Sequence, residues 1–174
     1  KQFFKTYYAP NNAVLVVAGD VDAKEVFALA DKYLAPLQKQ PEPTPITTVE
    51  PEQLGERRLV VERADAQSPI VAYAFHSGVR AGDKQAPALE LLSTILAQGQ
   101  SSRLHQRLVE REQAAIESGS FADSGFDPGL LWVYAVLPPG GDMSRAEALL
   151  DEELAKIANS GVSADELTKA RNLK

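Results

Sequence analysis

The chain has 174 residues, 18 Lys+Arg against 24 Asp+Glu for a formal net charge of −6, 44% hydrophobic residues and no Cys. A chain of this size can bury enough apolar surface to fold without a disulfide or metal staple, and the missing thiols exclude thiol nucleophiles and thiolate-bound zinc. Its acidity, with no basic run longer than Arg57-Arg58, argues against sequence-independent nucleic-acid binding, and no apolar run reaches the roughly 18 to 20 residues of a bilayer span.

Residues 1–8 are aromatic and basic and read as the end of a helix that Ala9-Pro10-Asn11-Asn12 stops. The run Ala13 to Ala18 is apolar and β-branched on both faces, which predicts a strand covered on each side. Asp22 with Glu25 resembles a capping box, and Val26, Phe27, Ala30, Tyr33 and Leu34 share a helical face that ends before Pro36. Between Gln38 and Gly55 stand Pro41, Pro43, Pro45 and Pro51 with no periodic apolar pattern, the composition of an extended spacer.

Beyond the spacer, Arg57 to Arg63 and Pro69 to Ser77 read as two strands joined by residues 64–68. Ala88, Leu91, Leu92, Ile95 and Leu96 then form a helical stripe ended by Gly99, and a second short helix is expected over Ser102 to Glu112. Ala115 to Asp123 and Gly129 to Leu137 read as a hairpin around Ser124-Gly125-Phe126-Asp127-Pro128. Ser144 with Glu147 predicts a capped helix with stripe Leu150, Leu154, Ile157 and Ala158, ended by Gly161, and Ser163 with Glu166 starts another.

The expected fold class is therefore α+β, an antiparallel sheet with helices packed on one face. Its order is ββααββαα over residues 56–174, after a helix-strand-helix tail over 1–37 and the spacer over 38–55. Lys1 is not an initiator Met and Lys174 falls inside a helical pattern, so the chain reads as a piece of a longer protein.

Chemistry-bearing patterns are sparse. His76 and His105 stand on different predicted elements, so neither helical zinc spacing is present. Gly99-Gln100-Ser101-Ser102-Arg103 starts like a nucleophile elbow, but Arg103 replaces the second Gly and the segment follows a helix; a helix C-cap followed by a Ser cap explains it. Gly78 to Lys84 misses the phosphate-loop spacing. Glu110, Glu112, Asp151, Glu152 and Glu153 read as solvated helix faces, and Tyr73, Phe75, Trp132 and Tyr134 as core aromatics before groove-lining ones. No catalytic or metal-ligating residue is assigned, and no substrate-binding residue is identified.

Phe4 to Val21 (FKTYYAPNNAVLVVAGDV) resembles a signature of the pitrilysin/insulinase zinc metallopeptidase family, and Gly99 to Glu110 (GQSSRLHQRLVE) resembles its Gly-x-x-Ser-Arg-Leu helix entry. The resemblance implies the end of a preceding catalytic-type domain over 1–37 and most of a second, non-catalytic homologous domain over 56–174. It places the family's His-x-x-Glu-His motif upstream of these residues, with zinc in the parent if that motif is present and no cofactor in this piece. It also implies a role in closing a peptide-enclosing chamber, with peptide and the parent's catalytic domain or a homologous active subunit as partners. Neither nucleic acid nor membrane insertion is implied, and periplasm and cytoplasm are both compatible. An Arg/Tyr pair that the family often sets against substrate does not map, since Leu130 to Leu137 contains Tyr134 but no Arg. The rival expectation is a stand-alone α+β interaction module presenting the acidic helix around Glu147 to Lys156; a self-contained hydrolase built on His76 or His105 ranks third.

Overall fold

In the computed structural model, which describes residues 1–45, 47, 51 and 53–174, Pro10 separates the first helix from the apolar run as the sequence predicts. Helix α1 (Gln2–Tyr7) gives way to one 3₁₀ turn, Pro10–Asn12. The two asparagines hold this turn: Asn12 Nδ2 donates to the Tyr7 carbonyl at 2.9 Å, while the Asn11 side chain and the Gln40 backbone exchange two 3.0 Å hydrogen bonds. Helix α2 (Ala23–Leu34) follows, its Asp22 cap accepting from the Lys24 and Glu25 amides at 2.8 and 3.1 Å.

Between these helices the expected strand over Ala13 to Ala18 does not form: the segment has no ladder partner among the described residues, and Val14 and Val16 are 92% and 78% exposed. A strand apolar on both faces needs neighbours on its edges and layers above and below. The compact unit containing it, Lys1–Arg58, supplies only helices among its described residues. The Pro-rich spacer lies partly outside the described residues.

The second unit, Leu59–Lys174, holds the sheet. Strand β1 (Ile70–His76) pairs antiparallel with β3 (Leu130–Val136), which also pairs antiparallel with β2 (Glu117–Ala122), giving the order β1-β3-β2. The expected hairpin is present. The expected strand over 57–63 is not, so one β element drops out of the anticipated order; Leu59-Val60-Val61 is apolar on both faces, which suits a strand covered twice, whereas helices cover this sheet once. The fold is α+β, as expected.

Helix α3 (Ala86–Ala97), a π-helical segment (His105–Arg111), α4 (Met143–Ser160) and α5 (Ala164–Asn172) form the helical layer. Leu96, Leu104, Leu108 and Leu150 from the helices meet Val71, Leu131, Val133 and Ala135 from the sheet in one core. The π winding places partners five residues apart: the Glu112 amide donates to the Arg107 carbonyl at 3.1 Å, and the Glu112 carboxylate accepts from Arg107 Nη1 at 2.6 Å. Gln113 at φ 49° then turns the chain, a left-handed conformation uncommon outside Gly.

The start of α4 corrects the expected Ser144 cap. Asp142 is the N-cap and accepts from the Arg145 amide at 3.1 Å, which leaves Ser144 inside the first turn. Asp142→Ala should accordingly cost about 1 kcal/mol of unfolding free energy in a denaturant titration, and Ser144→Ala close to nothing. The Ser163 and Glu166 box at α5 is complete in both directions.

Candidate functional site

Register decides which side chains share a face of the sheet. Val71, Tyr73 and Phe75 of β1 stand opposite Ala135, Val133 and Leu131 of β3, on the side toward the helices. Ile70, Ala72 and Ala74 therefore stand with Val136, Tyr134 and Trp132 on the other side, where Phe121 and Gly119 of β2 complete the surface. Phe121 and Trp132 stack with ring centroids 6.1 Å apart and planes at 19°, and Phe121 is 50% exposed.

Gly119 makes room for this arrangement, since a Cβ there would collide with the Tyr134 ring lying across it. Tyr134 Oη donates to Glu117 Oε1 at 3.2 Å, and burial, then that carboxylate, push its hydroxyl above the ordinary phenol range. The product is an apolar, aromatic surface uncovered by the helical layer, with one hydroxyl and one carboxylate at its rim. Sequence reasoning placed all four strand aromatics together as core before groove. The structure divides them: Tyr73 packs against the core cluster, whereas Trp132 and Tyr134 face away from it.

The helical layer of the second unit carries a set of ion pairs. Arg103 Nε and Nη2 hold the two Glu166 oxygens at 2.6 and 2.8 Å, and Nη2 also donates to the Gly161 carbonyl at 3.2 Å. This clamp, the largest influence on Glu166, brings its carboxyl down to about 2. Arg107 bridges Glu112 and Glu152, Arg145 closes on Glu112 at 2.8 Å, and Lys156 Nζ donates to Glu153 Oε1 at 2.6 Å. Glu153 is buried, against the expectation of a solvated face; its position within the α4 stripe was the available sequence signal.

The histidines are not brought into a donor set. His76 ends β1 opposite Leu130, and His105 heads the π-helical segment with its ring 3.1 Å from Glu110. Among the described residues no three His, Cys, Asp or Glu side chains are grouped to hold a metal ion, so these residues do not fit a catalytic zinc. Ser101, the elbow candidate, touches Lys169 and no imidazole. Gly78 and Gly82 carry positive φ in turns around β1 and α3, where Asp83 accepts from the Arg80 amide at 2.8 Å.

The model of the family described as "Peptidase M16 inactive domain" matches residues 1–174. The chain is 32% identical to the zinc protease PqqE of Helicobacter pylori over 98% of its own length and 39% of that protein's. Among solved structures, a protease from Helicobacter pylori aligns with a TM-score of 0.81 at 29% identity, covering 99% of this chain and 42% of the other. A peptidase M16 inactive domain from Pseudomonas fluorescens aligns with a TM-score of 0.71 over 99% of this chain and 41% of the other; at 23% identity that likeness concerns the fold alone. This chain thus spans about two fifths of the Helicobacter relative.

Proposed function

The chain belongs to the peptidase M16 inactive-domain family, and from that premise we propose that it forms a non-catalytic wall of a peptide-enclosing chamber in a zinc peptidase. In this reading residues 1–37 complete a preceding catalytic-type domain, residues 56–174 are the second homologous domain, and zinc belongs to the parent's catalytic domain or to a homologous active subunit. The observation that carries the reading is the aromatic sheet face of Trp132, Tyr134 and Phe121, which the helical layer leaves uncovered. Flat aromatic rings hold extended peptide by apolar contact without demanding one side-chain sequence.

The experiment compares an unstructured fluorogenic peptide offered to this chain alone and to the chain joined to its parent's catalytic domain. Alone, the chain should be inert and should carry no stoichiometric zinc by elemental analysis. Joined, cleavage should be chelator-sensitive, and Trp132→Ala should raise KM about threefold to tenfold with kcat little changed, the pattern of lost uniform binding. Zinc-dependent cleavage by the chain alone, or a KM indifferent to Trp132, would overturn the reading. The interaction-module alternative presents the acidic stretch Glu147 to Lys156 and needs an exposed apolar patch to dock on; two carboxylates of that stretch are engaged within the chain, Glu152 with Arg107 and Glu153 with Lys156.

A further inference from the structure

The charge that the strands place on the aromatic sheet face has one sign. Strands β1, β2 and β3 contain no Lys or Arg, and Glu117 is their only carboxylate. On β2, Glu117 shares its side of the sheet with Gly119 and Phe121 and stands opposite Val136, so it lies on the face that carries Trp132 and Tyr134. The histidine of β1, His76, stands opposite Leu130 at the far end of the sheet. Glu117 is exposed and forms no ion pair among the described residues. Its side-chain partner there is the Tyr134 hydroxyl, which donates to Oε1 at 3.2 Å. In a chain of net charge −6, a carboxylate with no cation beside it leaves this corner of the sheet electronegative.

The rings reinforce that sign. Tyr134 lies across Gly119, where no side chain competes for the space, so one face of its ring is turned to the sheet and the other outward. Phe121 and Trp132 stack on the same side with centroids 6.1 Å apart, and Phe121 is half exposed. Aromatic faces carry the negative lobe of the ring quadrupole, so a carboxylate at the rim of three rings attracts a cation twice, through its own charge and through the rings. An anion is repelled on both counts. A long basic side chain also matches the surface in shape, since its aliphatic stem can lie on the rings while its charged head reaches Glu117.

We propose that this corner of the sheet, built from Glu117, Tyr134 and the stacked Phe121 and Trp132, is a subsite for a basic side chain, lysine or arginine, of an extended peptide. That the cation arrives on a peptide rests on the chamber reading. The match of charge does not depend on it. Glu117 sets the preference, and the Tyr134 hydroxyl holds its carboxylate against the rings. The subsite thereby adds one charge preference to a surface that is otherwise tolerant of sequence.

Trp132 is the only tryptophan of the chain, so its emission reports directly on this face. The test titrates the 174-residue chain with a short, otherwise uncharged peptide carrying a single lysine, and with the same peptide acetylated on that lysine, following Trp132 emission. The lysine peptide should bind about fivefold to tenfold more tightly, and the preference should shrink as NaCl rises from about 0.05 M to about 0.5 M. Glu117→Gln should remove the preference and Glu117→Lys should turn it in favour of the acetylated peptide; circular dichroism melts matching the unsubstituted chain would show that the fold is retained. Equal binding of the two peptides, or a preference that persists in Glu117→Gln, would overturn the proposal. The two readings fail separately. Equal binding together with a Trp132-dependent KM in the joined protein would sink the subsite and leave the chamber reading, whereas a charge preference in the chain alone with a KM indifferent to Trp132 would do the reverse.

Discussion

Leu108→Ala should lower the unfolding free energy by about 3 to 5 kcal/mol and the melting temperature by about 10 to 20 °C. Leu108 is fully buried within the core that joins the π-helical segment to the sheet, and its backbone carbonyl accepts from the Ala114 and Ala115 amides at 2.9 and 3.1 Å. Truncating the side chain would leave a void exactly where helix and sheet must register, and the wide π turn followed by Gln113 in the left-handed region limits how far the backbone can collapse into it. Val109→Ala, at a partly buried neighbour on the same segment, should cost about 1 kcal/mol. Paired denaturant titrations of the two variants check the contrast. Equal losses would mean that the segment is not anchored through Leu108.

The sheet and most helix boundaries were legible because their signals are local. The apolar, aromatic-rich run Leu130 to Val136 and the turn residues between 124 and 128 specify a hairpin, and Ser163 with Glu166 specifies a cap within four residues. What failed depended on distant partners. Ala13 to Ala18 and 57–63 have strand composition, but a strand exists only where another edge accepts it, and pairing is not written in a six-residue window. At α4 the N-cap is Asp142, two residues before the expected Ser144.

The candidate sites were less legible for the same reason. Which face Trp132 and Tyr134 occupy relative to Tyr73 follows from the β1 to β3 register, a pairing across nearly sixty residues of chain. Periodicity could say that each pair of aromatics shares a side, not that the two pairs oppose each other. Glu153 looked like one more exposed carboxylate until Arg107, from another element, closed over it. The π winding left no sequence trace either, because its apolar positions, Leu104 and Leu108, keep ordinary four-residue spacing.

Breaking the Arg103 clamp should be the largest effect outside the core. Arg103 joins the entry to the π-helical segment with the start of α5, and its side chain and that of Glu166 are only 20% and 30% exposed. Removing one partner leaves the other charge partly desolvated, so Arg103→Ala should cost about 2 to 3 kcal/mol, less than a fully buried pair would. Glu166→Gln separates the two jobs of this residue: Gln can still serve the capping box with Ser163, whereas the ion pair is gone, so about 2 kcal/mol of loss would belong to the pair and Ser163→Ala should reveal about 1 kcal/mol for the cap. The pH dependence has a definite sign. Glu166 titrates at about 2 when folded against an ordinary value of 4.5, so its stabilisation is fully present above 4.5 and is lost as pH falls toward 2. Chemical denaturation of the parent chain and Glu166→Gln across that interval should therefore give curves that converge on acidification; a constant gap from pH 7 down to pH 2 would show that the clamp contributes through packing and not through charge.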